Sequence, residues 1–312
     1  MSVGTAPGKV ILFGEHAVVY GRPALAAPVT GVQARAEVED LPKHPPSNVR
    51  LEAPQLRIAG WLHALSKEER LVLAVRRALV LLDAQPTTAL FVRLNSTLPV
   101  AAGLGSSAAI SVAMLRGIAA HLRIPLSTER LCELSLELEK LFHGTPSGID
   151  TSVIAYGWPV FFVRGKEPVP LRPAHPLQLV IADSGQPSET AAVVASVRAA
   201  HAKEPELYEQ FFDAIGRIAW TARQRIESGQ GAPLGSLMDQ NHALLAEMGV
   251  SCEPLDALVR AARSGGALGA KLSGAGRGGN IIALVTSETK GDVERAVRQA
   301  GAVSMLHTVV EG

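Results

Sequence analysis

A chain of 312 residues, 47% hydrophobic and 19% charged, has ample material for a core, and at roughly 150 residues per domain it divides into about two domains. Its 30 Lys and Arg against 29 Asp and Glu leave a net charge of +1, too weak a field to gather nucleic acid or an anionic membrane. Only Cys132 and Cys252 occur, in no CxxC or Cys/His array, which argues against a disulfide framework and a structural zinc site and favours a reducing cytoplasm.

The N-terminal MSVGTAPGKVILFGEH has too short an apolar run for a signal peptide or a membrane span. Val10 to Phe13 reads as a buried strand, followed by the loop GEHAVVYGRPA, and Val32 to Val38 alternates as a half-exposed strand. After a proline turn at 41–46, Leu71, Val75, Leu79 and Leu82 give helical spacing over 68–82, and Ala89 to Leu94 is a strand. A helix over 107–121 follows. A second, over 127–142, has Ser127 as its cap and a stripe of Leu131, Leu134, Leu138 and Leu141. Short strands are expected at 151–155 and 160–163, and the proline-rich stretch 167–176 marks a boundary between domains 1–168 and 169–312. Beyond it come a strand at 177–182, several helices between 189 and 263, strands at 270–272 and 281–285, a helix over 291–300 and a last strand at 303–309. This alternation predicts an α/β or α+β fold.

The chemistry concentrates where a loop runs into the alanine-rich helix. Gly103 and Gly105 admit close approach of a ligand, Ser106 is a suitable N-cap, and Ser107 adds a hydroxyl in the first turn, the makings of an anion site at a helix N-terminus. A second glycine loop, SGAGRGG, contains Gly274, Gly276, Arg277 and Gly278, and two such loops suit one ligand with a phosphate chain. Gly103, Gly105 and Ala108 spell GxGxxA, but the second strand and acidic residue of a dinucleotide fold do not follow, and no GxxxxGK[ST] occurs. Glu139 beside the stripe and Ser107 are hard oxygen donors that suit magnesium. His143, four residues on from Glu139, has no ligand cluster that would support zinc. Asp150, in a loop pinned by Pro146, Ser147 and Gly148, is placed to accept a hydroxyl proton during phosphoryl transfer or to orient that hydroxyl. Lys9, between Gly8 and a buried strand, is an unusual position for a charge.

PGKVILFGEHAVVYG (7–21), PVAAGLGSSAA (99–109), HGTPSGID (143–150) and KLSGAGRGGN (271–280) together resemble, in order, the motif set of the GHMP small-molecule kinases. The resemblance implies a two-domain GHMP kinase fold: an N-terminal domain like ribosomal protein S5 domain 2, a ferredoxin-like C-terminal domain, and ATP and substrate in the cleft between them. By motif position it makes Pro99, Val100, Ala101, Ala102, Gly103, Leu104, Gly105, Ser106, Ser107 and Ala108 the ATP-binding loop. Ser107 and Glu139 become Mg2+ ligands, Asp150 the base, and Lys9 the residue that activates the accepting hydroxyl and stabilises transferring charge. Galactokinases resemble GEHxDY and phosphomevalonate kinases show Glu-Tyr where this chain has Glu15 and His16, whereas homoserine kinases and mevalonate diphosphate decarboxylases lack the pair of PGK and GEH. The first motif therefore points to the branch that phosphorylates mevalonate, with His16, Val19 and Thr190 near that substrate. The resemblance also suggests a homodimer. Where the third motif usually reads GAGGGGC, Arg277 and Asn280 replace a glycine and the cysteine, and Arg277 either reaches a phosphate or lies on the surface.

Overall fold

Strand β1 (Ser2–Phe13) is longer than its apolar run predicts, because Gly4 lets its first half lie directly on a helix: a Cβ there would come 2.1 Å from the Ala113 carbonyl oxygen. A computed structural model describes residues 1–46, 48–99, 103–144, 146–229 and 232–312. The chain continues through β2 (Ala24–Leu41), β3 (Val49–Ala53), β4 (Ile58–Trp61), α1 (Arg70–Leu81), β5 (Ala89–Ser96), α2 (Ser106–Leu122), α3 (Thr128–His143) and α4 (Ile149–Tyr156). It ends with β6 (Val160–Phe162), β7 (Val169–Pro170), β8 (Leu177–Asp183), α5 (Thr190–Lys203), α6 (Pro205–Ser228), α7 (Ala232–Glu247), α8 (Glu253–Ser264), β9 (Gly269–Ser273), β10 (Asn280–Val285), α9 (Lys290–Gln299) and β11 (Ser304–Val310). None of the described helices is long and apolar enough to cross a membrane.

Two compact units emerge, and neither is continuous in sequence. One comprises Met1–Gly8, Val32–Pro99 and Gly105–Gly157; the other comprises Lys9–Gly31, Val100–Leu104 and Trp158–Gly312. The expected division at 168/169 is a single cut, whereas β1 and β2 each run through both units, so no single cut separates them.

In the first unit the strand order is β4-β3-β5-β2, with β3 parallel to β5 and β5 antiparallel to β2. Helices α1 to α4 pack on one another, and α2 buries Ala108, Ala109, Val112, Ala113 and Leu115. Gly117 carries that small-residue face down to the sheet, where a Cβ would be 3.1 Å from the Ala36 carbonyl oxygen. Helix α3 follows its periodicity: Ser127 caps it by accepting from the Arg130 N–H at 3.2 Å, and Leu131, Leu134 and Leu138 are buried, each a gain of about 1.5–3 kcal/mol over exposure. Leu141, at the end of the stripe, is exposed.

The segment 151–155 is not a strand but part of α4. Thr151, Val153 and Ile154 are β-branched, but Gly148 (φ 93°) and Gly157 (φ 76°) cap a helix, and the Thr151 and Ser152 hydroxyls donate back to the Gly148 carbonyl at 3.0 and 2.8 Å. Tertiary burial overrides a weak β propensity there.

In the second unit, β8, β9, β10 and β11 form an antiparallel sheet ordered β11-β8-β10-β9. Helices α5 to α8 lie between β8 and β9 in sequence, and α9 lies between β10 and β11, so the connectivity is the β-α-β-β-α-β of a ferredoxin-like domain. Its core joins Val180, Ala182, Phe212, Ile215, Leu258, Val259, Leu272, Ile281 and Ala283.

Candidate active site

In the first unit, α2 starts from Gly105 in the left-handed region (φ 74°), so Gly105 rather than Ser106 is the N-cap. The correction has a simple cause: the chain must turn through positive φ to enter the helix, and glycine does this without strain. Among the described residues no side chain caps α2 and no acidic residue stands in its first turn, where the positive end of the helix dipole favours an anion. The Ser107 hydroxyl is 3.0 Å from Glu139 Oε2, to which it donates, and 3.0 Å from His143 Nε2. A hydroxyl has one proton, so with that proton on Glu139 the imidazole donates to Ser107. Glu139 is 2% exposed, and His143 Nε2 lies 3.6 Å from its Oε2. Asp150 is half-buried in the first turn of α4, where the helix dipole favours its negative charge. Pro99 is half-buried, while Ala108 is fully buried and offers a ligand only its backbone.

In the second unit, Lys9 is 4% exposed on β1, and its N–H donates to the Leu104 carbonyl at 2.9 Å. Leu104 is buried, and Gly103 (φ 76°) faces the other glycine loop, its missing Cβ 3.8 Å from the Ser273 carbonyl oxygen. The two loops therefore meet. Val100, Ala101 and Ala102 lie outside the described residues. His16 is 6% exposed at φ 59°, and its Nε2 is 2.9 Å from the Ala275 carbonyl oxygen. A carbonyl only accepts, so Nε2 carries the proton; burial lowers the imidazole pKa, and the neutral ring presents Nδ1 as an acceptor. Val19 is half-buried in a short 3-10 turn, Ala17–Tyr20, and its carbonyl accepts from Arg164 at 3.0 Å. Thr190 is exposed at the start of α5, on a segment tied to the glycine loop by Ser188, whose hydroxyl donates to the Gly276 carbonyl at 2.7 Å.

Within the glycine loop, Gly274 is the position open to a ligand, its missing Cβ 3.9 Å from the Gly103 carbonyl oxygen. Gly276 and Gly278 answer a different need. A Cβ on them would lie 1.9 Å from the Val250 oxygen and 2.6 Å from the Gln186 oxygen, so there the close approach is by the protein's own backbone. Arg277 is exposed, and its Nε donates to the Gly249 carbonyl at 3.0 Å, holding the same turn.

Three contacts in this unit escaped the sequence reading of the site. Glu15 and Lys271 form a fully buried ion pair. Ser273 Oγ accepts from the Ile11 N–H and donates to the Ile11 carbonyl, both at 3.0 Å. The available signal was a lysine inside the apolar run ALGAKL.

The GHMP kinases N terminal domain matches residues 70–158, and the GHMP kinases C terminal domain matches residues 222–303. The mevalonate kinase of Pyrococcus horikoshii is 36% identical over 98% of this chain and 95% of its own length. The chain belongs to the mevalonate kinase family. A second mevalonate kinase, from Pyrococcus abyssi, is likewise 36% identical, over 97% of this chain and 94% of its own. The crystal structure of L. major mevalonate kinase in complex with R-mevalonate superposes with a TM-score of 0.84, at 28% identity, over 100% of this chain and 96% of that one. A Streptococcus pneumoniae phosphomevalonate kinase, solved with phosphomevalonate and AMPPNP, gives 0.82 at 15% identity over 99% of this chain and 100% of that one, a likeness of fold alone.

Against this family background the donor set at Ser107 and Glu139 can be judged on its chemistry. Two hard oxygens lie 3.0 Å apart, one of them a carboxylate almost removed from water, and among the described residues no group of three or more His, Cys, Asp or Glu is placed to hold a metal. That set fits Mg2+, which takes one or two protein oxygens and completes its shell with phosphate oxygens and water.

Proposed function

We propose that the protein transfers the γ-phosphoryl group of ATP to the C5 hydroxyl of (R)-mevalonate, releasing ADP and 5-phosphomevalonate, a step of the mevalonate route to isoprenoids. The observation that carries this reading is the 36% identity to mevalonate kinases along nearly the whole chain. A cytoplasmic homodimer is part of the same reading.

The α2 N-terminus and the loop from Pro99 to Ala108 would bind the triphosphate through backbone N–H groups. Ser107 and Glu139 would hold Mg2+, which when bound neutralises charge on the phosphate oxygens. Asp150 would accept the hydroxyl proton or, where the transition state is loose, fix that hydroxyl in line with the γ-phosphorus. Lys9 would offset the charge on the transferring group. His16, with Nε2–H held by Ala275, would accept from a mevalonate hydroxyl through Nδ1.

Ser107→Ala and Glu139→Gln each remove a hard oxygen and are expected to raise the Mg2+ concentration for half-maximal ADP release by at least about tenfold. Unchanged titrations in both variants would move the metal elsewhere.

The choice of substrate is the direct test of the whole reading. Phosphomevalonate adds about −1.5 to −2 charges at neutral pH, calling for Lys or Arg around the acceptor end, and between Gly14 and Gly21 there is neither. Steady-state kinetics should give a kcat/KM for mevalonate at least about tenfold above that for phosphomevalonate, and His16→Ala should lower the mevalonate value by about 1–3 kcal/mol of transition-state stabilisation. A preference for the phosphorylated acid would overturn the assignment.

A further inference from the structure

The Glu15–Lys271 pair joins residues 256 positions apart, and both side chains are at 0% exposure. Such pairs contribute little to net stability, because desolvating two charges offsets their attraction, so the pair calls for another explanation. Burial pushes the Glu15 carboxyl pKa up and the Lys271 ammonium pKa down, and each group opposes the other's shift. Lys271 Nζ also donates to the Leu272 carbonyl at 2.6 Å, so the lysine is fixed on β9. Behind it His242, bonded to Asp256 at 3.1 Å, has its pKa lowered by burial to about 4 and stays neutral. Glu15 Oε2 is buried and finds no hydrogen-bond partner in any other described residue, a cost that folds seldom retain without a use. The Lys9 charge is near enough to favour the ionised carboxylate.

The pair is the middle of three clamps between the β1 to 3-10 segment and the β9 to glycine-loop segment. Ile11 is held by Ser273 through two hydrogen bonds, Glu15 by Lys271, and His16 by the Ala275 carbonyl. Lys9 and Ile11 share one face of β1, because side chains two apart on a strand point the same way. His16 is held at φ 59°, a conformation a non-glycine residue keeps only when its surroundings over-determine it. We propose that Glu15, clamped by Lys271, is a positioning residue: it holds the adjoining His16 in its strained backbone conformation. The proposal rests on the mevalonate kinase reading of His16.

The test separates positioning from stability by removing the pair in two ways. Lys271→Met alone leaves a buried carboxylate without its counter-ion and should lower the melting temperature. Glu15→Leu combined with Lys271→Met replaces the pair by apolar groups of similar volume and should restore the melting temperature to the wild-type value or above. Positioning would not return with it: kcat/KM for mevalonate should stay about tenfold to a hundredfold below wild type, with KM for ATP changed by less than about twofold. Recovery of kcat/KM together with stability would overturn the proposal. Should the double variant fail to fold, Glu15→Gln decides, since it keeps the shape and one acceptor for Lys271. A raised KM for mevalonate with a lowered kcat supports positioning, and wild-type values of both overturn it. The unmodified protein is assayed in parallel. Absence of mevalonate turnover there overturns the functional reading and this proposal together, whereas wild-type turnover with full recovery in the double variant overturns this proposal alone.

Discussion

Asp150→Asn is expected to lower kcat by about 10²–10⁴, the range for a positioned acid or base, while leaving the ATP dissociation constant within about twofold. The separation follows from where the residue stands. Asp150 is in the first turn of α4, held between Gly148 at φ 93° and a helix whose following residues, Thr151 to Ala155, are all buried, so an isosteric amide changes charge and proton affinity without moving the backbone. Single-turnover phosphoryl transfer at saturating ATP and mevalonate, alongside equilibrium nucleotide binding, checks both halves. Turnover in the Asn variant near that of wild type would remove Asp150 from the roles of base and orienting group alike. An equal loss in nucleotide affinity would mean that the carboxylate supports the phosphate site instead.

Lys9→Met should cost about 10²–10³ in kcat, comparable to removing one preorganised donor from a developing negative charge. Lys9 is 4% exposed, and the strand that carries it is fixed through its own N–H to the Leu104 carbonyl at 2.9 Å and, two residues later, through both backbone groups of Ile11 to Ser273. Methionine keeps the length of the side chain and those backbone bonds, so the expected loss belongs to the charge. The measurement is kcat against KM for ATP and mevalonate separately. A variant whose kcat is unchanged while KM for ATP rises would assign Lys9 to nucleotide binding and remove it from the transfer step. Because Asp150 and Lys9 are proposed to act on the same step, their combined variant should lose less than the product of the single losses.

The chain's own order of residues determined those features that a short window of sequence can encode. Apolar spacing placed α1 and α3 to within two residues at each end, and Ser127 as a cap was readable because an N-cap bond spans three residues. Ser107 and Glu139 could be picked out as candidate hard oxygens beside a glycine loop, and the folded chain brings them 3.0 Å apart. The four motifs in order were enough to point to the family before any coordinate was known.

Other features were decided only by the folded chain. Residues 151–155 carry β-branched side chains yet form a helix, because glycines at both ends and burial against neighbouring helices outweigh a preference of a fraction of a kcal/mol. Ser106 yields the N-cap position to Gly105, a matter of one φ angle. Gly276 and Gly278 read as room for a ligand, but the space is filled by the backbone at Val250, Gln186 and Pro187, which no local pattern announces. The compact units are discontinuous because β1 and β2 are long enough to serve both. Glu15 meets Lys271 across 256 residues. Periodicity and capping act over one or two turns of chain, whereas these last contacts depend on which sequence-distant segments the folded chain brings side by side.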